Sequence, residues 1–304
     1  MTNESSQVTS TTPAKMPSET TSTESPYVPA AAPAATLVKV RRVGAFAHAR
    51  GFASHDHLCW SYRDRHEFRA RAREFLADGL AEGQRVHYLT ATEDAGLGLD
   101  GVEVSLVHEN YTPGAVVDPA AQARSYAEAT DRALRDGFTG FRVAADVTGL
   151  VRTPTQLAAF GRYEHLADHV MATRPFTAMC AYDRRALAED VVTHLASLHP
   201  ASNAEPPFRL YACGTDGVSL AGELDLAGRT LLSLALERAD LCPGQRSLYV
   251  EASGVRFIDH RALVALAEHA RGRGFDEVVL RTGLRSPARL VELLGLDGIR
   301  VEAG

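Results

Sequence analysis

Lysine is nearly absent from this sequence. Of its 32 basic residues only Lys15 and Lys39 are lysines, and both precede the part of the chain that carries folding patterns. A Walker A loop, a protein-kinase active site and a Schiff-base enzyme each need a lysine within the fold. The sequence therefore excludes these three kinds of site.

Cysteine pairs and long apolar runs are also missing. Cys59, Cys180, Cys213 and Cys242 lie far apart with no CxxC spacing, so we expect a reducing cytoplasm and no disulfide framework. No run approaches eighteen apolar residues, and the polar, acidic start lacks the pattern of a secretory signal, so no membrane span is expected. The net charge of −6 argues against nucleic acid as the direct partner.

The 304 residues predict two folded domains after a tail. Residues 1–36 are rich in Ser, Thr, Pro and Ala and lack an apolar period, which is typical of a disordered segment. The proline-flanked residues 201–207 predict a short stiff linker. It would separate a domain at 38–200 from a second domain at 208–304.

Strand and helix patterns alternate through the first domain. Asp118 is the predicted N-cap of a helix over 119–135, and Thr153-Pro154 opens another helix that ends near residue 172. Further helices are predicted at 64–82 and 184–198, and strands at 57–62, 85–89, 102–107, 141–146 and 176–182. The alternation predicts an α/β fold with a mostly parallel sheet and helices on both faces.

Six segments of this domain, in this order and spacing, resemble the MEDS sensory domain. They are Asp56-His57-Leu58-Cys59, Phe75 to Gly83, Arg142 to Asp146, Tyr163-Glu164, Cys180-Ala181-Tyr182-Asp183 and His199-Pro200. The resemblance implies a RecA-like core without a phosphate loop. The local sequence agrees, because residues 63–67 contain neither glycine nor lysine and leave Asp146, at the Walker B position, without a nucleotide-bound magnesium.

Side chains at the ends of the predicted strands could line a ligand pocket. In open parallel sheets ligands bind outside the carboxyl ends of the strands. We therefore predict a small-molecule sensory pocket lined by six residues: His57, Cys59, Tyr62, Asp146, Tyr182 and Asp183. The alternative is that the two strand cysteines, Cys59 and Cys180, are core residues.

Two histidine patterns raise the question of a metal. His55, His57 and Cys59 would alternate onto one face of a strand and could supply imidazole and thiolate to zinc or copper; the alternative is a structural or ligand-contacting role. His165 and His169, four residues apart, share a helix face, and Glu164 and Asp168 adjoin them in sequence. For that face we predict solvent exposure, and for Glu164 an ion pair with an arginine, so no metal or cofactor is assigned.

The last hundred residues carry two further motifs. Gly222-Glu223-Leu224-Asp225 and Phe257 to Leu263 each join a strand pattern to a helix pattern, within an alternation of five strands and three helices. This part resembles a small α/β STAS domain of the anti-sigma factor antagonist type. The resemblance implies a partner-binding loop, here Gly222, Glu223, Asp225, Asp259, His260 and Arg261. His260 takes the place of the phosphorylated serine, and Asp259 could equally be a helix N-cap.

Together these patterns predict a soluble, cytoplasmic sensory regulator that is not an enzyme. It would act by partner switching on an anti-sigma factor or a related regulatory protein, biased by a ligand in the sensory domain and not by serine phosphorylation. Two alternatives remain: a metal-dependent enzyme built on His55, His57 and Cys59, and a sensory transcription regulator linked to DNA. No helix-turn-helix motif supports the second alternative.

Overall fold

The computed structural model describes residues 41–92, 97–112, 114–214, 217–239 and 246–304. The predicted tail at 1–36 and Cys242 lie outside these residues. The described residues all belong to one compact unit. They form two sheets, and the predicted α/β class with a mostly parallel first sheet and a second, smaller sheet is confirmed.

The first sheet has seven strands that pair in parallel. Its strands are β1 (Gly44–Ala45), β2 (His57–Tyr62), β3 (Arg85–Thr90), β4 (Val102–Leu106), β5 (Phe141–Asp146), β6 (Phe176–Asp183) and β7 (Ala201–Ser202). Their order across the sheet is β1-β7-β2-β6-β5-β3-β4. Strand β2 therefore lies between β7 and β6, so residues distant in sequence become neighbours.

Five helices accompany this sheet: α1 (Arg65–Ala81), α2 (Val107–Asn110), α3 (Pro119–Arg135), α4 (Pro154–Thr173) and α5 (Glu189–Ser197). The predicted N-cap Asp118 is confirmed, because it accepts a hydrogen bond from Ala121 N–H. Helix α4 begins at the predicted Thr153-Pro154, where Thr153 forms a reciprocal capping box with Gln156. Helix α5 begins five residues later than predicted. Ala201 and Ser202, predicted in the linker, form the short strand β7.

Alternating side chains of the strands build a core on each face of the sheet. Under α1, Phe68, Phe75 and Leu76 pack with even-numbered residues of β2 such as Leu58 and Trp60. On the opposite face Tyr126 of α3 and Phe160 and Tyr163 of α4 pack with Val143 and Phe176. Both faces are therefore covered, as a fully buried parallel sheet requires.

The second sheet has five strands: β8 (Phe208–Cys213), β9 (Gly217–Leu224), β10 (Ser247–Ile258), β11 (Glu277–Thr282) and β12 (Ile299–Ala303). Strands β8 and β9 are antiparallel, and the other pairings are parallel in the order β12-β11-β10-β9-β8. Helices α6 (Arg229–Arg238), α7 (His260–Gly272) and α8 (Ser286–Leu294) connect the parallel strands. No helix among the described residues is long and apolar enough to cross a membrane.

Candidate functional site

The six residues predicted to line one pocket lie on opposite faces of the first sheet. His57, Cys59 and Tyr182 belong to the face covered by α3 and α4, where Cys59 and Tyr182 join the core. Tyr62 lies on the α1 face, where its hydroxyl donates to Asp146 Oδ2 at 2.7 Å. Asp183 lies at the end of β6 and holds Arg185 through its carboxylate. The strand alternation therefore separates the predicted pocket into two groups.

The first group is completed by residues that the pocket prediction did not include. His57 lies on β2 and is fully buried, with Nε2 3.2 Å from Glu164 Oε2 of α4. Its other ring nitrogen, Nδ1, is 3.1 Å from Asp168 Oδ1, one turn further along the same helix. Two carboxylates of one helix face therefore hold this imidazole from both sides, which fixes the plane of the ring.

Cys180 and His199 approach the same carboxylate oxygen of Glu164. Cys180 Sγ of β6 is 3.5 Å from Glu164 Oε2, and His199 Nε2, in the turn after α5, is 3.6 Å from it. Cys180 Sγ is also 3.7 Å from His57 Nε2. These four donor atoms all lie within 4.8 Å of one another, and all four side chains are buried. We call His57, Glu164, Cys180 and His199 the buried centre.

Each polar residue of the buried centre is held by a further hydrogen bond. Tyr182 donates its hydroxyl to Glu164 Oε1 at 2.6 Å, which leaves Oε2 directed at the centre. His199 Nδ1 is 2.8 Å from the carbonyl oxygen of Leu195, so this nitrogen carries the proton and Nε2 has its lone pair available. Asp168 accepts from Arg41 and from the backbone N–H of Ala212 at 2.7 Å, which ties the centre to β8.

Burial and charge act against each other in the pKa values of the buried centre. Burial lowers the pKa of His57, but hydrogen bonds with Asp168 and Glu164 outweigh it and raise the pKa above its ordinary value. Burial would raise the pKa of Glu164, and the rings of His199 and His57 reverse this and lower it. Burial and the neighbouring His57 together lower the pKa of His199 to about 4. Without another cation, His57 therefore carries the charge that balances the carboxylates.

The side chains of His55, His57 and Cys59, predicted as a possible metal-binding set, do not meet at one point. His55 precedes β2 with a φ of 82°, and its ring Nδ1 bonds the carbonyl of Met171 at 2.6 Å. A strand conformation is needed for its side chain to alternate with that of His57. Cys59 does share the face of His57, but its sulfur is not among the four donor atoms that cluster.

Two predictions for helix α4 are wrong. The face of Glu164, His165 and Asp168 is buried, not solvated, because α4 packs between the first sheet and β8. Glu164 has no arginine among its contacts in the described residues; its partners are Tyr182 and the other members of the buried centre. The i, i+4 spacing of Glu164 and Asp168 was the signal that could have placed both carboxylates beside one histidine.

Five strands of the first sheet, β2 to β6, and all of the buried centre lie in a segment that matches a known protein family. Residues 56–200 match the family model of MEDS, described as the methanogen/methylotroph, DcmR sensory domain. The predicted resemblance is confirmed over this segment. The match begins next to His57 and ends next to His199, so all four members of the buried centre lie inside the MEDS segment. It does not extend to the second sheet, and comparison with curated proteins gave no match.

The MEDS segment has no phosphate-binding loop where a RecA-like ATPase carries one. Between β2 and α1 the carboxylate of Asp64 caps the helix by accepting from His66 N–H at 2.9 Å. This carboxylate occupies the helix N-terminus, where a phosphate would otherwise bind. Both groups are negatively charged, so Asp64 would also repel a phosphate. Asp146 is held by Tyr62 and by the Thr148 hydroxyl at 2.7 Å.

We therefore expect the chain not to bind ATP. Isothermal titration calorimetry with magnesium and ATP should give no saturable heat at micromolar protein, because the connection between β2 and α1 offers neither a lysine nor a backbone cradle. The matched control is Asp64→Ser, which removes the capping charge but supplies no lysine and should also fail to bind. Magnesium-dependent binding in the micromolar range would contradict the prediction.

Proposed function

We propose that this chain is a sensory regulator in which the MEDS segment controls the docking of a partner protein on the second sheet. The match to a sensory family supports a sensory or signalling role, and it is the observation that carries the proposal. The proposal assigns no reaction to the chain. Its most nucleophilic group near the carboxylates, the Cys180 thiol, is buried, and burial with the Glu164 charge raises its pKa.

A physical link supports communication between the buried centre and the second sheet. Asp168 contacts His57 of the centre and the backbone N–H of Ala212 on β8 with the same carboxylate. Arg209, also on β8, donates to the carbonyl oxygens of Ala196 and His199 at 3.2 Å each. A shift of His199 or Asp168 would therefore be transmitted to β8 through direct hydrogen bonds, which is the kind of contiguous coupling that allostery needs.

The topology of the second sheet supports the resemblance to a STAS domain. An antiparallel first pair is followed by parallel strands joined by helices, and Asp259 begins α7 as its N-cap by accepting from Ala262 N–H at 2.8 Å. Asp259 N–H bonds the carbonyl of Leu224, so the ends of β9 and β10 lie side by side. The resemblance implies a partner of the anti-sigma factor kind, and the free thiols of Cys59, Cys180 and Cys213 support action in the cytoplasm.

The residues of the predicted partner loop differ in what they offer to a partner. His260 and Arg261 are exposed in the first turn of α7. Asp225 instead caps its own turn by accepting from Ala227 N–H and Gly228 N–H, and Glu223 pairs with Arg256 at 3.3 Å. Gly222 has a φ of 103°, and a Cβ there would lie 2.5 Å from the Pro207 carbonyl oxygen, so its role is to permit a close backbone approach.

An apolar groove beside His260 gives the proposed docking surface. Its volume is about 370 Å³, and its lining residues are Phe257, Ile258, Asp259, His260, Ser286, Arg289, Leu290 and Leu293. Phe257 and Leu293 are 51% and 69% exposed and line this one groove together, so they form an apolar patch and not isolated exposed side chains. Exposed apolar side chains rimmed by His260 and Arg289 fit a partner helix with an apolar stripe and acidic flanks.

The docking surface predicts a specific loss of binding. Phe257→Asp should weaken binding to the partner by about 10- to 100-fold, because it places a charge in the apolar contact. The partner is first identified by cross-linking in the native cell, and the affinity of the purified pair is then measured by calorimetry.

Phe138→Asp is the matched control, since Phe138 is 40% exposed in the MEDS segment, away from the groove. It should bind like the wild-type chain. Equal affinities of the Phe257 and Phe138 variants would show that the partner docks elsewhere.

His260→Ser should leave the affinity unchanged, because the proposed partner loop does not depend on a phosphorylated serine.

A further inference from the structure

We propose that the buried centre binds one divalent transition-metal ion of the zinc class through His57 Nε2, Glu164 Oε2, Cys180 Sγ and His199 Nε2. The proposal concerns the MEDS segment alone and does not depend on the docking of a partner. It differs from the sequence-based alternative, which placed a metal on His55, His57 and Cys59. It rests on the geometry of four donor atoms from four separate segments: β2, α4, β6 and the turn after α5.

Four of the six separations between the donor atoms match those of a tetrahedral site. Zinc bonds of about 2.0–2.3 Å at tetrahedral angles put neighbouring ligand atoms about 3.3–3.6 Å apart. In the buried centre Glu164 Oε2 lies 3.2 Å from His57 Nε2, 3.5 Å from Cys180 Sγ and 3.6 Å from His199 Nε2. Cys180 Sγ and His57 Nε2 are 3.7 Å apart. The two remaining separations, from His199 Nε2 to His57 Nε2 and to Cys180 Sγ, are no more than 4.8 Å, so a modest movement of the His199 ring would bring all four atoms to one ion.

The surrounding hydrogen bonds are those that orient metal ligands. A histidine that binds a metal through one nitrogen generally donates the other N–H to a carboxylate or a carbonyl. His57 Nδ1 faces the carboxylate of Asp168, and His199 Nδ1 faces the carbonyl of Leu195. The second oxygen of Glu164 accepts from Tyr182. Each ring nitrogen that would bind the ion is therefore left with a lone pair directed inward.

Charge favours an ion of charge +2. A buried ion is tolerated when nearby groups neutralise it. The Glu164 carboxylate and the Cys180 thiolate together supply two negative charges, and Arg41 separately neutralises Asp168 in an ion pair. A divalent ion would thus leave the buried centre neutral. The combination of thiolate, imidazole and carboxylate ligands is one that zinc accepts and that magnesium and calcium do not favour.

A proton on His57 is the competing explanation, since the imidazolium would also balance the two carboxylates. That explanation needs Glu164, Asp168 and Arg41 but gives no role to the other two donors. His199 Nε2 is fully buried, has no hydrogen-bond partner among the residues that the structure describes, and faces Glu164 Oε2. The Cys180 sulfur points at the same place. A metal ion uses all four donors, and four protein ligands leave no open position, as in structural rather than catalytic zinc sites.

The experiment uses the full chain, stripped with a chelator and titrated with Co²⁺ and then with Zn²⁺. We expect one equivalent of Co²⁺ to give the visible bands of a tetrahedral site and a near-ultraviolet sulfur-to-cobalt charge-transfer band. One equivalent of Zn²⁺ should abolish both and raise the melting temperature, since an ion that binds only the folded state stabilises it. A wild-type chain that binds neither ion stoichiometrically, and that melts at the same temperature with and without them, would overturn the proposal.

Cysteine variants locate the site. Cys180→Ser should lose the charge-transfer band and weaken zinc binding at least about 100-fold, since even residues behind the ligands contribute 10- to 100-fold. Cys59→Ser is the matched control, because Cys59 is equally buried and pairs in register with Cys180 on the neighbouring strand. It should keep the band. If Cys180→Ser does not fold, His199→Gln tests the same site: it should bind Co²⁺ more weakly but keep the sulfur-to-cobalt charge-transfer band. A charge-transfer band that is lost in Cys59→Ser and kept in Cys180→Ser would overturn the assignment.

Discussion

Replacing Arg142 with alanine should lower the free energy of unfolding by about 3–5 kcal/mol, the cost of removing one partner of a buried charged network. Arg142 lies on β5 and is fully buried under α1. Its guanidinium donates to the carbonyl oxygens of Phe75 and Phe52, each at 2.8 Å, and to Gln84 Oε1 at 2.6 Å. Alanine would leave these acceptors buried without a donor and would leave a cavity beside them.

The neighbouring sequence is adapted to this arginine. A Cβ at Gly79 would lie 2.6 Å from Arg142 Cδ, so α1 can pass over the guanidinium only with glycine at that position. Phe75 adds its ring, whose centroid is 4.9 Å from the guanidinium carbon. Arg142→Lys should recover only part of the loss, because an ammonium group cannot reach three acceptors in a fixed planar arrangement.

Urea unfolding followed through Trp60 measures this effect, since Trp60 is the single tryptophan and is buried in β2 of the same sheet. Arg85→Ala is the control. Arg85 also pairs with two carboxylates, Glu103 and Asp136, but it is one-third exposed, so its loss should cost less than about 1 kcal/mol. Equal midpoint shifts for the Arg142 and Arg85 variants would contradict the role given to burial.

Replacing Asp168 with alanine should also cost about 3–5 kcal/mol, for a different reason. Asp168 is fully buried and binds three donors that come from three parts of the chain: Arg41, His57 and the backbone N–H of Ala212. Removing the carboxylate leaves the Arg41 charge without its ion pair and leaves the Ala212 N–H without an acceptor. Asp168→Asn should cost less, because an amide oxygen still accepts one hydrogen bond.

The same substitution tests the link between the MEDS segment and the second sheet. If Asp168 couples them, Asp168→Asn should make β8 exchange its backbone amide protons faster while the strands β3 and β4 exchange as before. Asp131→Asn is the control, because Asp131 lies on α3 and pairs with Arg174 in a half-exposed salt bridge. Unchanged exchange at β8 in the Asp168 variant would remove the support for coupling through this carboxylate.

Local patterns predicted most of the secondary structure. The strands at His57–Tyr62 and Phe141–Asp146 and the helix at Pro119–Arg135 have the predicted bounds. Their signals are local, since a cap such as Asp118 bonds a backbone N–H three residues away. Helix α5 begins later than predicted because residues 184–187 form a turn, in which Asp183 accepts from the N–H groups of Arg185 and Ala186.

The site depended on contacts that local patterns do not describe. The separation of Tyr62 from His57 follows from the two-residue period of a strand, and the sequence could have shown it. The meeting of Glu164, Cys180 and His199 could not be found in this way, because it depends on the order of strands in the sheet and on the packing of α4.

The sequence by itself determined the class of fold, the positions of most helices and strands, the absence of lysine after residue 39 and the likeness of residues 56–200 to MEDS. These properties depend on residue type, period and spacing, which are all local. Only the tertiary structure decided which polar residues are buried together. Burial removes water from His57, Glu164 and Asp168 and makes each charge depend on neighbours more than a hundred residues away, and no local pattern carries that information.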